Sequence, residues 1–134
     1  HNLTGGEYDL NDTPDLLPIL SILGAFANGE TRIVNVPQAR IKETDRISSM
    51  KSVIEDLGGR AKERKDGLTI YGEGLTGGRT TGFSDHRIVM ACAIAGLAST
   101  NPVEVDTAEA TSITFPDFTD KMDDLNVNIQ TQNK

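Results

Sequence analysis

Between positions 40 and 46 the chain reads Arg-Ile-Lys-Glu-Thr-Asp-Arg, five charges in seven residues. Apolar side chains then recur at Ile47, Met50, Ile54 and Leu57, and Gly58-Gly59 follows. That is the stripe and the glycine stop of an amphipathic helix. Such a helix starts near Thr44, with Lys42 and Glu43 on its approach and Arg46 in its first turn. A helix start already carries the positive end of the dipole, so backbone N–H groups with a lysine and an arginine make an anion site. Glu43 is the group among them suited to moving a proton. The plainer alternative is a solvated helix start whose charges pair locally, Glu43 with Arg46.

Asp85-His86-Arg87 is a second constellation, opening a helix over 86–99 whose side chains from Ile88 to Leu97 are almost all apolar. A helix apolar all round is expected to be buried. Arg87 then sits at the wrong end of a buried dipole and must meet a carboxylate, Asp85 for one, or a bound anion. His86 could serve as an acid or base, or simply as a structural hydrogen-bonding residue. Asp15 follows Pro14 at the start of another helix, where an aspartate is ordinarily a cap. The functional alternative is that helix starts near Asp15, Lys42 and Asp85 converge on one cleft, its cations holding phosphate and carboxylate groups while a carboxylate moves protons.

These residues need elements to hold them. Residues 11–15 read as a turn into a helix with Leu16, Leu17, Ile19, Leu20, Leu23 and Phe26 on a wide apolar face, ended by Asn28-Gly29. Residues 31–36 alternate as a strand. Residues 60–64 and 68–71 form a hairpin around the Asp-Gly turn signal of 65–67. Beyond the glycine-rich 72–82 the order repeats: the helix over 86–99, a strand over 103–106, and a weaker helix over 116–125. Offset by 70 positions, Asp15 falls on Asp85 and Ile33 on Val103. This is a degenerate internal repeat of a βαβαββ type, over about 8–75 and 76–127 of one partial α/β (α+β) domain spanning 1–134. The polar tail 128–134 is an edge strand or frays.

Composition narrows the partners. A net charge of −7 argues against nucleic acid, yet residues 40–65 hold eight Lys or Arg against five Asp or Glu. A basic patch in an acidic chain suits a small anion. One cysteine, Cys92, inside an apolar run, fits a buried thiol in a reducing cytoplasm. No apolar run reaches membrane-spanning length and no signal peptide is visible, so no membrane association is expected. Two histidines and one cysteine, scattered, give no metal-ligand spacing. The glycines of 72–82 lack the context of a dinucleotide or phosphate loop.

Arg-Ile-Lys-Glu-Thr-Asp-Arg-Ile (40–47) followed by Asp-His-Arg-Ile-Val-Met (85–90) resembles the EPSP synthase family. Asn-Asp-Thr-Pro-Asp (11–15) and Thr-Phe-Pro-Asp-Phe (114–118) fall where that family has similar segments, so the resemblance runs over about 8–125. A sister family, which transfers enolpyruvyl to a UDP-sugar, shares an aspartate like Asp15 but not the Lys-Glu-Thr-Asp-Arg run. The resemblance implies the enolpyruvyl transferase fold, an inverted α/β barrel (prism) of βαβαββ units. It also implies transfer of enolpyruvyl from phosphoenolpyruvate to shikimate 3-phosphate, with release of phosphate and no cofactor. Asp15 and Glu43 would be catalytic. Asp15, Gln38, Lys42, Arg46 and Arg87 would bind substrate, and Asp85 and His86 would support them. Ile113 stands where some members have a substrate lysine and receives no role. Because the family's two-domain enzymes are far longer, the chain is expected to be a C-terminal piece covering two of six units, half a site that is inert alone. The parent is expected to be a cytoplasmic monomer. The alternatives are the UDP-sugar enzyme and a non-catalytic anion-binding module of the same fold.

Overall fold

A computed structural model describes residues 4–42, 44–106 and 112–115. Glu43, the predicted helix over 116–125 and the tail 128–134 lie outside them. The first sheet is built from β1 (Glu7–Asp9), β2 (Glu30–Val34), β3 (Arg60–Arg64) and β4 (Gly67–Tyr71) in the order β1-β2-β4-β3. β1 and β2 run parallel, joined through α1 (Leu17–Phe26), while β4 is antiparallel to both its neighbours. The second sheet contains β5 (Gly78–Thr81), β6 (Val103–Asp106) and β7 (Ser112–Phe115) in that order. Its β5 and β6 are likewise parallel and joined by a helix, α3 (His86–Ala98), with β7 antiparallel beside β6.

Helix α2 (Arg46–Asp56) leans on β3 and also on β5, so it bridges the two sheets, and α1 packs against both α2 and α3. One core runs through the three helices: Leu17, Ile22, Ile47, Met50, Ile54, Ile88 and Cys92 are buried together with Ile33, Leu68 and Val105 from the sheets. Burial pushes the Cys92 thiol up to about 12, so it stays a neutral core group.

The sequence-predicted helix over 44–57 is α2, and its stop is a glycine motif. Gly58, at φ +96°, donates its N–H to Glu55 O (3.1 Å), and Gly59 donates to Ile54 O (2.8 Å). That pair of bonds satisfies the last carbonyls of the helix. The hairpin also forms, but Asp66-Gly67 is not its turn. Arg64 pairs with Gly67, leaving Lys65-Asp66 as the loop, and neither residue takes a positive φ. Gly67 is needed for a different reason: a Cβ there would collide with the backbone carbonyl of Ile33 on β2.

Three expectations are corrected. The strand predicted over 31–36 ends at Val34, because Asn35 turns to φ +56° and is held there by its side-chain bond to Asp9 (3.1 Å). Helix α3 is not buried on every side, since Met90 is 54% exposed. Asp15 caps nothing: it sits within a 3-10 turn, Pro14–Leu16, and α1 begins after it without a side-chain cap. Strands β1, β5 and β7, and a second 3-10 turn, Pro37–Ile41, were not legible as elements.

Candidate active site

The first residue of α2 organises the site. Arg46 is only 2% exposed in its side chain, although it stands at a helix start where its charge opposes the dipole. Among the described residues, two carboxylates offset that cost. Its Nε donates to Asp85 Oδ2 (2.7 Å) and its Nη2 to Asp85 Oδ1 (3.1 Å), a bidentate pair with a fully buried aspartate. Its Nη1 donates to Asp15 Oδ1 (2.8 Å). Asp85 also caps α3, accepting from the Arg87 N–H (2.9 Å). One guanidinium therefore joins the starts of α2 and α3 to the turn that leads into α1.

Asp15 faces outward from this buried link, its side chain 45% exposed. Lys42 Nζ lies 3.7 Å from Asp15 Oδ1, and Arg87 Nη2 lies 3.6 Å from Oδ2. One carboxylate is thus shared by three cations from three segments. The Arg46 hydrogen bond, then the charges of Lys42 and Arg87, hold the Asp15 carboxyl below its ordinary value against partial desolvation. Lys42 and Arg87 are 31% and 46% exposed and approach Asp15 more loosely than Arg46 does. They form the accessible rim of a positive site whose floor is an ion-paired guanidinium.

Gln38 stands next to this cluster. The two 3-10 turns pack on each other, and Gln38 Nε2 donates to Asn11 O (2.8 Å). Its Oε1 is buried and accepts no hydrogen bond among the described residues. A buried amide oxygen without a donor is costly. His86 is exposed as the first residue of α3.

The structure thus brings Asp15, Lys42, Arg46, Asp85 and Arg87 into one cluster with Gln38 beside it. It does not pair Arg87 with Asp85, the local partner the sequence offered, because Arg46 takes both Asp85 oxygens. Sequence reasoning gave Asp45 no part. Its Oδ1 accepts from the Ser48 N–H (3.1 Å) and caps α2, and an aspartate just before the first helical residue is the signal that points to it.

A strand–helix–strand scaffold of a mixed α/β fold thus clusters Lys42, Arg46 and Arg87 around Asp15. The family model for EPSP synthase (3-phosphoshikimate 1-carboxyvinyltransferase) matches residues 1–122. A 3-phosphoshikimate 1-carboxyvinyltransferase of Acetivibrio thermocellus is 46% identical over 129 residues, 96% of this chain and 30% of its own length. One of Natronomonas pharaonis is 44% identical over 97% of this chain and 30% of its length. The solved EPSP synthase of Acinetobacter baumannii superposes with a TM-score of 0.76 at 29% identity, over 81% of this chain and 27% of that one. The chain belongs to the EPSP synthase family, and its fold is part of the EPSP synthase fold. It spans about 30% of the length of the curated relatives it matches.

Proposed function

We propose that these residues form one wall of the active site of a 3-phosphoshikimate 1-carboxyvinyltransferase, joining phosphoenolpyruvate to shikimate 3-phosphate with release of phosphate and no cofactor. The observation that carries this reading is Asp15, a half-exposed carboxylate shared by Arg46 at 2.8 Å, Arg87 at 3.6 Å and Lys42 at 3.7 Å. Both substrates are anions that carry a phosphate and a carboxylate. Lys42 and Arg87, on the rim, are the cations such groups reach first. A substrate carboxylate drawn to Arg46 competes with Asp15 for Nη1, and an Asp15 released by that competition turns to a shikimate hydroxyl. The same exchange removes the bond that most depresses the Asp15 pKa, so its basicity rises as the substrates seat.

The hydroxyl oxygen adds to C2 of phosphoenolpyruvate while its CH2 carbon takes a proton. Loss of phosphate and of a proton from the resulting methyl restores the enol ether. Asp15 accepts the hydroxyl proton and passes it to the departing phosphate, and Glu43 gives and retakes the carbon-bound one. Gln38 Oε1 accepts from a second hydroxyl, while Asp85 and His86 support the cations from the start of α3. The other wall comes from the remaining length of the enzyme, which is cytoplasmic and monomeric, and these 134 residues alone turn nothing over. Residues 8–75 and 76–127 are successive copies of one unit, a reading supported by the two parallel crossovers β1–α1–β2 and β5–α3–β6.

Asp15→Asn and Glu43→Gln in the full-length enzyme are each expected to lower phosphate release about a hundredfold or more. Unchanged turnover in both would overturn the reading. Release supported by a UDP-sugar acceptor, and not by shikimate 3-phosphate, would reassign the substrate.

A further inference from the structure

We propose that Arg40 is a positioning residue for this reaction, tying Asp45 and the β3–β4 hairpin to the turn before Lys42 so that Lys42 is held against Asp15. The inference rests on the active-site reading above. Arg40 lies in the 3-10 turn Pro37–Ile41, at the start of the charged run. Its Nε donates to Lys65 O (2.8 Å) and its Nη2 to Arg64 O (2.6 Å), both at the tip of the β3–β4 hairpin. Its Nη1 donates to Asp45 Oδ2 (2.8 Å) and lies 2.7 Å from Glu63 Oε2. The other Asp45 oxygen is the cap of α2.

One side chain therefore ties the first residue of the run to the last residue before Arg46, and fastens both to a hairpin. Only a planar fork of donors can meet two backbone carbonyls and two carboxylates at once, and a lysine cannot. Asp45 and Glu63 are both more than a third exposed, and pairs of that kind add little stability. What these bonds fix is direction. Lys42 is in the span they close, and Arg46 follows it. A displacement of about 1 Å at such groups costs roughly a hundredfold in rate.

The test uses the full-length enzyme with Arg40→Ala, Arg40→Lys, Lys42→Ala and the double variant Arg40→Ala/Lys42→Ala. Arg60→Ala, which breaks an exposed pair with Glu73 on the same hairpin, is the control expected to keep full activity. Melting midpoint, kcat and KM for each substrate are measured. Arg40→Ala is expected to lower kcat/KM for shikimate 3-phosphate by about 10-fold to 100-fold. Adding it to Lys42→Ala should cost much less than it does alone. Arg40→Lys, which keeps the charge and so the fold, should stay impaired. A lower midpoint with unchanged kcat and KM in Arg40→Ala and Arg40→Lys overturns the proposal, as does full additivity with Lys42→Ala. If Lys42→Ala is itself silent, it is the active-site reading that fails, and the role of Arg40 falls with it.

Discussion

Arg46 brings a charge into the core and meets Asp85 there, the two side chains 2% and 0% exposed. A buried pair of this kind adds little net stability, but losing one partner strands the other in a low dielectric. Arg46→Ala and Asp85→Ala are therefore each expected to cost about 3–5 kcal/mol, read from denaturant midpoints, with the double variant costing less than the sum. Asp15 behaves differently because it is half exposed. Its folded-state pKa is lowered, so its contribution is in place above the ordinary carboxylate value of 3.8 and is lost as pH falls through the lower folded value. In a carboxyl NMR titration Asp15 should inflect below 3.8, and Lys42→Met or Arg87→Met should move the inflection upward. The types and positions of these residues were legible from helix-start logic. Their pairing was not, because Arg46 reaches partners 39 and 31 residues away, whereas spacing arguments see only a few residues at a time.

At the scale of elements, legibility followed length. Helices α2 and α3 each span three turns or more, and α2 was legible from its apolar stripe, α3 from its long apolar run and the hairpin from its Asp-Gly signal. Strands β1, β5 and β7 hold three or four residues each and all lie at sheet edges. Alternation over so few residues carries no signal, and β5 is further hidden in a glycine-rich stretch. Asp66-Gly67 was recognised for the wrong reason, since Gly67 answers to its neighbour β2 and not to the turn. Gly67→Ala accordingly forces β2 and β4 apart, as overpacking does, and is expected to cost about 1–3 kcal/mol. A thermal melt beside Gly74→Ala checks this: Gly74 has φ +78° but open space around its Cβ position, so its cost is backbone strain alone.

For the molecule as a whole, the expectation of a wholly buried α3 failed at Met90, and Leu16 and Leu23 of the first helical segment are exposed as well. The apolar run that predicted burial says which side chains are apolar and not what covers them. Between α1 and β1 a cavity of about 190 Å³ is lined by Tyr8, Leu20, the exposed Leu23 and Ala27 among others. The guanidinium that joins three helix starts has a further consequence, in the order of events during refolding. Hairpins and helices close short loops, whereas the Arg46 bonds join segments 31 and 39 residues apart and wait for chain closure. After dilution from denaturant, the far-ultraviolet signal should therefore recover ahead of the Asp15 carboxyl shift. Loss of that lag in Arg46→Lys would show the link to be the last contact made: the chain completes its charged cluster only as it completes its fold.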